Sequence, residues 1–237
     1  MPESPSGESI DPSGEVFADP EYRQAVIDML GAIAYGEISA FDRLSEDARM
    51  APTLLDKVAM ARMATTEFGH VELLGDRLVE LGADPYEAMA PFTRALDEWH
   101  ERTTPADWYE SLIKAYVGDG MAADFYREIA AYLDSRTRDL IVSSLEDTGQ
   151  SEFVVDRVRA AIAADPKLGG RLALWGRRLM GEALTQAQRV AAERDALSAL
   201  LAGGVDRPGL DLAAIGRMLT RITERHAERM SDLGLDS

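Results

Sequence analysis

Apolar residues recur at three- and four-residue intervals through nearly the whole chain, and runs of strict alternation between β-branched residues are absent, so the pattern predicts helices and no sheet. Proline, glycine and capping residues punctuate it. Pro20 opens a helix over 20–49, and Ala51-Pro52 opens another over 52–82, closed by Gly82 and Asp84-Pro85. A shorter piece follows over 85–99. Thr104-Pro105-Ala106-Asp107 starts a helix over 105–133, Asp134-Ser135 allows a turn, and the next helix spans 136–164 before Asp165-Pro166. Two more, over 167–202 and 209–233, are separated by Gly203-Gly204 and Arg207-Pro208. The four longest segments of the first 165 residues thus form two helical hairpins joined by one long connection over 83–104. A short internal repeat agrees with this, since Gly36-Glu37 with Phe41 resembles Gly118-Asp119 with Phe125.

Composition narrows the class. A chain of 237 residues, 46% hydrophobic, can bury a sizeable core. The absence of cysteine excludes disulfides, thiolate nucleophiles and Cys-ligated metals, so any metal must be held by carboxylate and imidazole. Acidic residues outnumber basic ones 42 to 25, giving a formal charge of −17, which disfavours a nucleic-acid partner because such binding rests on Lys and Arg neutralising phosphates. No apolar run approaches the roughly 18 to 20 residues of a membrane span. Residues 1–19, rich in Glu, Ser, Pro and Gly, are expected to be a disordered acidic tail and not a signal peptide, and a soluble, cytoplasmic protein is expected. The domains expected after it are a bundle over 20–165 and a helical extension over 166–237 packed on it. Arg171, Arg177, Arg178 and Arg189, and Arg217, Arg221, Arg225 and Arg229, recur beside acids and read as solvated helix faces with intrahelical ion pairs.

The candidate chemistry lies in acids on the apolar stripes. In the first helix Val26, Leu30, Ile33, Phe41 and Leu44 form a stripe whose missing position is Glu37. In the second, Met60, Met63, Ala64, Val71, Leu74, Leu78 and Leu81 are interrupted by Glu67 and His70, three apart and so on one side. In the third, Leu112, Ala115, Tyr116, Ala122 and Tyr126 surround Asp119, and in the fourth Leu140, Ser144, Val154 and Val158 surround Asp147 and Gln150. The spacings agree, with 30 residues from Glu37 to Glu67 and 28 from Asp119 to Asp147. Unpaired carboxylates in an apolar interior cost several kcal/mol each and repel one another. A pair of divalent cations resolves this, and oxygen donors with imidazole suit iron or manganese.

At these residues the chain resembles the ferritin-like di-iron carboxylate proteins, whose ligand set is one Glu plus one Glu-x-x-His from each half of a bundle with one long crossover. Within that superfamily it looks most like the bacterial tRNA hydroxylase-like branch, whose better-known members oxidise a prenylated adenosine in tRNA. The likeness covers residues 20–165, and Tyr35-Gly36-Glu37 with Glu67-Phe68-Gly69-His70 is its most specific part. It implies an all-α fold, a ferritin-like four-helix bundle with one long crossover plus two additional C-terminal helices. It also implies a di-iron site, with manganese as the alternative metal, that activates O2 to oxidise a substrate C–H bond. By resemblance Glu37, Glu67 and His70 are ligands, and Asp119, Asp147 and Gln150 stand in the second half's places. Two Asp replace Glu there, and Gln150 stands where the second His belongs, so the second metal position is expected to be asymmetric, labile or empty.

Plainer readings stand beside these. A phase error on the first helix would expose Glu37, and His70 alone would be a hydrogen-bonded core histidine. Asp147 and Gln150, after Glu146 and beside Thr148-Gly149, equally suit a solvated, bent stretch of helix. Tyr35, Tyr116 and Tyr126 project near the site and read as packing residues. His100 and His226 are expected at the surface, Trp175 and Met180 over the bundle, and Gly203-Gly204 as a helix stop, since no strand precedes it as a phosphate loop requires. The leading functional expectation is a ferritin-like, hydroxylase-like oxidoreductase using O2 on a small-molecule or nucleoside-containing substrate. Its alternatives are a metal-depleted helical scaffold for interaction or oligomerisation and a tRNA-modifying hydroxylase. For the last two helices a homodimer interface and a lid are both open.

Overall fold

Asp19, Thr53, Asp84, Asp107, Asp134 and Asp165 each accept backbone N–H bonds at a helix start in the computed structural model, which describes residues 17–145, 150–202 and 212–236. The breaks read from the sequence are therefore physical caps. Helix α1 spans Pro20–Asp47 and α2 spans Leu54–Glu80, and the two pack along their lengths as a hairpin. The crossover is helical too, with α3 over Pro85–Met89 and α4 over Thr93–Arg102. The third arm begins with α5 (Trp108–Ile113), passes through a π-helical turn at Lys114–Gly118, and continues as α6 (Asp119–Ala130). The fourth arm returns as α7 (Ser135–Ser144) against α6 and α8 (Gln150–Ala164) against α5. Buried Arg77 on α2 ties the hairpins together, donating to Thr137 Oγ1 at 3.1 and 3.2 Å and pairing with Asp134 at 3.4 Å. The described residues are all-α, with no strand, and no helix among them is long and apolar enough to cross a membrane.

The last part of the chain wraps the bundle. Helix α9 (Pro166–Glu193) packs on α4, α5 and the π turn, α10 (Asp195–Ala202) on α1, and α11 (Leu212–Asp232) on α6. Trp175 and Met180 are buried in the core beneath it, and the Trp175 indole donates to the Glu110 carbonyl at 2.9 Å.

Three segments differ from the periodic pattern. The fourth arm is not described as one helix: α7 ends at Ser144, and 146–149 lie outside the described residues. The helix predicted over 167–202 is interrupted at Arg194, whose φ and ψ of −125° and 88° leave the helical region while its guanidinium grips buried Asp28 on α1, Nε to Oδ2 at 3.0 Å. The arginines of α9 and α11 bond mainly between elements, not within them: Arg171 to Asp107 and Glu110, Arg221 to Glu128, Arg225 and Arg229 to Asp124. Arg189 with Glu193, at 3.0 Å, is of the expected i, i+4 kind, and it also reaches Glu98.

The apolar interior divides into two clusters along the bundle axis. One gathers Leu44, Met60, Leu112, Val117, Val158 and Leu179; the other gathers Val26, Leu30, Ile33, Leu74, Leu78 and Ile129. On α1 and α2 the boundary between them falls at Glu37, Glu67 and His70. One close approach fixes the crossover against this frame, because a Cβ built on Gly31 of α1 would lie 2.2 Å from the Ala88 carbonyl oxygen. Gly31→Ala is therefore expected to destabilise the fold by about 1 to 3 kcal/mol. Gly75→Ala, where the same atom meets nothing within 4 Å, should stabilise by up to about 1 kcal/mol through helix propensity. Thermal melts of the two variants check both signs.

Candidate metal centre

Helical period alone puts the first three candidates together. Glu37 follows Ile33 by four residues on the buried face of α1, and Glu67 and His70 sit one turn apart on the facing stripe of α2. Glu37 and Glu67 are 7% and 8% exposed, so the first-helix phase is as the stripe predicts. His70, half-buried, directs Nδ1 at both acids, 3.1 Å from Glu37 Oε2 and 3.9 Å from Glu67 Oε2. One donor atom from each of the three lies within 4.8 Å of the others, the separation at which a single ion can be shared.

The electrostatics explain why this arrangement needs a partner. Burial pushes both carboxyl groups well above the usual range, most strongly Glu67, and the hydrogen bond between them lowers Glu37 while raising Glu67. The neighbouring charge of Glu37 raises Glu67 further, and Asp119 raises Glu37. Burial, then Glu37, Asp119 and Glu67, push the Tyr126 phenol up as well. Two buried acids that can coexist only by holding a proton form a donor set that a divalent cation completes in the proton's place.

The acids also separate two cavities. Glu37, Glu67 and Asp119 line both. One cavity, of about 300 Å³, is walled mainly by apolar side chains such as Met29, Phe92, Phe125, Leu184 and Ile222. The other, of about 170 Å³, is polar and contains His70, Tyr116, Arg127 and Arg229. A small molecule in the first would lie against the same carboxylates that a cation would occupy.

The remaining candidates fare differently. Asp119 lines both cavities but is exposed and falls outside the 4.8 Å group, in contrast to the buried position its stripe predicts. The π turn at Lys114–Gly118 accounts for this, since an i, i+5 turn inserts one residue and rotates everything after it by about 100°. Asp147 lies outside the described residues, and Gln150 is the first residue of α8 with its side chain outside the description. Tyr126 lines the apolar cavity and Tyr116 the polar one, whereas Tyr35 turns away and donates to Asp97 at 2.7 Å. His100 and His226, expected at the surface, are 6% and 5% exposed, because α9 packs over the helix that carries His100 and α11 packs on the bundle. The sequence reading also missed Lys114, Asp47 and Gln186, three buried polar residues on the wall of the apolar cavity. Their signal was only a charge or amide at a position that a stripe leaves open.

Known proteins agree with this architecture. A family described as "Ferritin-like domain, actinomycetes" matches residues 20–204. A solved structure from Synechococcus, described as protein 19 with aldehyde deformylating oxidase activity, superposes with a TM-score of 0.69 at 18% identity, covering 93% of this chain and 94% of that one. At that identity the likeness shows the ferritin-like fold. No curated protein sequence matches the chain.

The raised acid pair gives a pH test with a fixed sign. An acid whose folded pKa lies above its unfolded value loses stability as pH rises from the unfolded toward the folded pKa. In chelator-treated protein, Glu37→Gln should therefore raise the melting temperature at pH 8 and leave it nearly unchanged at pH 4. Thermal melts at the two pH values measure the difference.

Proposed function

This chain belongs to the ferritin-like domain family of actinomycetes, and from that premise we propose that it is a non-haem iron oxidoreductase that uses O2 on a small, largely apolar molecule. The observation that carries the reading is the convergence of Glu37, Glu67 and His70 on the wall of an apolar cavity. In this reading Glu37 and Glu67 give carboxylate oxygens and His70 an imidazole nitrogen to a first ion, with manganese as the other metal that such donors suit. Asp119, which lines both cavities, is proposed to serve a second ion, with Asp147 and Gln150 proposed beside it. When bound, the metal supplies the redox capacity to reduce O2 while the substrate is oxidised. The protein's own groups do the rest. The apolar cavity excludes water and orients a carbon chain toward the carboxylates, and the half-buried Tyr126 phenol on its wall is held protonated by burial and by the nearby acids.

Two other readings are weaker. A metal-depleted scaffold is favoured by one observation, the exposed position of Asp119 outside the three-residue group. A tRNA-modifying hydroxylase, the finer branch of the family resemblance, is opposed by the charge of −17.

Protein produced with iron is expected to hold one to two iron atoms per chain, the second depending on the weaker half of the ligand set. Chelation should lower its melting temperature, and Glu67→Ala should abolish both the iron and the chelator's effect. Elemental analysis with thermal melts makes the test. No bound iron or manganese, together with a melt indifferent to chelator, would overturn the reading in favour of the scaffold.

A further inference from the structure

The apolar cavity also carries a second group of polar side chains. Lys114 in the π turn, His100 and Gln186 are each 6% exposed and line it, as does Trp99. Their polar atoms are short of partners. Trp99 Nε1, His100 Nδ1 and Gln186 Oε1 are buried without a hydrogen bond, and His100 Nε2 has only Ser39 Oγ at 3.2 Å. Among the described residues the Lys114 ammonium makes neither hydrogen bond nor ion pair, and it lies over the Trp99 ring at 4.9 Å. Asp47, also on the wall, attracts Lys114 from beyond ion-pair distance, while Arg43 is engaged by Glu46 at 3.1 Å. Buried polar groups without partners are costly, and a buried charge more so, so three such atoms and an ammonium on one cavity wall mark a position that a ligand completes.

We propose that this cavity binds an alkyl monocarboxylate, with the carboxylate at Lys114 and Trp99 Nε1 and the alkyl chain running toward Glu37 and Glu67. The donors decide the head group. Lys114 and Trp99 only donate, so the head must accept, and an ammonium without a contact counter-ion in an apolar wall selects an anion. The remaining wall, built from Ala, Leu, Met, Phe, Ile and Val, selects a hydrocarbon body. Arg43 and Asp47, which act electrostatically on Lys114, lie six and ten residues beyond Glu37 on α1, or about 9 and 15 Å along its axis. A medium-length chain therefore reaches the acids with its far end. Binding stands on the cavity alone; only the consequence that oxidation falls on that far end rests on the proposed iron site.

Calorimetric titration with decanoate and with 1-decanol, on protein as purified and after chelation, tests this. Decanoate should bind the wild type about 10- to 100-fold more tightly than decanol, the range for a hydrogen bond to a charged group. Lys114→Met should remove that preference while keeping decanol affinity. Asp47→Asn, which frees Lys114 from its competing acid, should tighten decanoate binding and leave decanol unchanged. The proposal is overturned by equal binding of the two ligands, by binding of neither, or by a preference that survives Lys114→Met. Should Lys114→Met fail to fold, an unchanged decanoate affinity in Asp47→Asn overturns it equally. Because chelated protein is included, decanoate can fail while iron binds, and iron can fail while decanoate binds.

Discussion

Two carboxyl groups, one from each helix of the first hairpin, meet in a layer where both neighbours along the bundle axis are apolar clusters. Both acids are buried there, so they cannot both ionise without a counter-charge, and the rest of the site is arranged around that condition. His70 supplies one response by directing Nδ1 at both oxygens, and the hydrogen bond between Glu37 and Glu67, which raises Glu67, supplies another. A cation satisfies both acids at once. The two core clusters pack the facing stripes on either side of the acids.

The C-terminal helices give this layer its surroundings. Helix α9 closes the apolar cavity over α4 and the π turn, and Arg194 leaves the helical path to lock onto Asp28 so that α10 can lie along α1. Helix α11 brings Arg225 and Arg229 to buried Asp124 behind the polar cavity. In these pairs the acid is buried, 3 to 4% exposed, and the arginine 15 to 39% exposed. Their role is positional, since each joins an added helix to the bundle.

What was legible in the sequence follows from where helical period is undisturbed. Glu37, Glu67 and His70 lie in long helices without a break, so a 3.6-residue repeat places them correctly. Asp119 was placed on a buried stripe that crosses a π turn, and one inserted residue carried it to the cavity rim. The break at Arg194 depends on an ion pair spanning 166 residues, and no local propensity announces it. His100 and Lys114 were hidden for the same reason, because their burial is created by helices from the far end of the chain. The sequence therefore exposes a site built within one hairpin and conceals one assembled from four elements.

The central claim is that Glu37, Glu67 and His70 hold one metal ion in common. Anomalous diffraction at the iron edge, from crystals of iron-loaded protein, tests it most directly. The account predicts a peak within bonding distance of all three side chains. A peak placed elsewhere, or none in a fully loaded crystal, would contradict it.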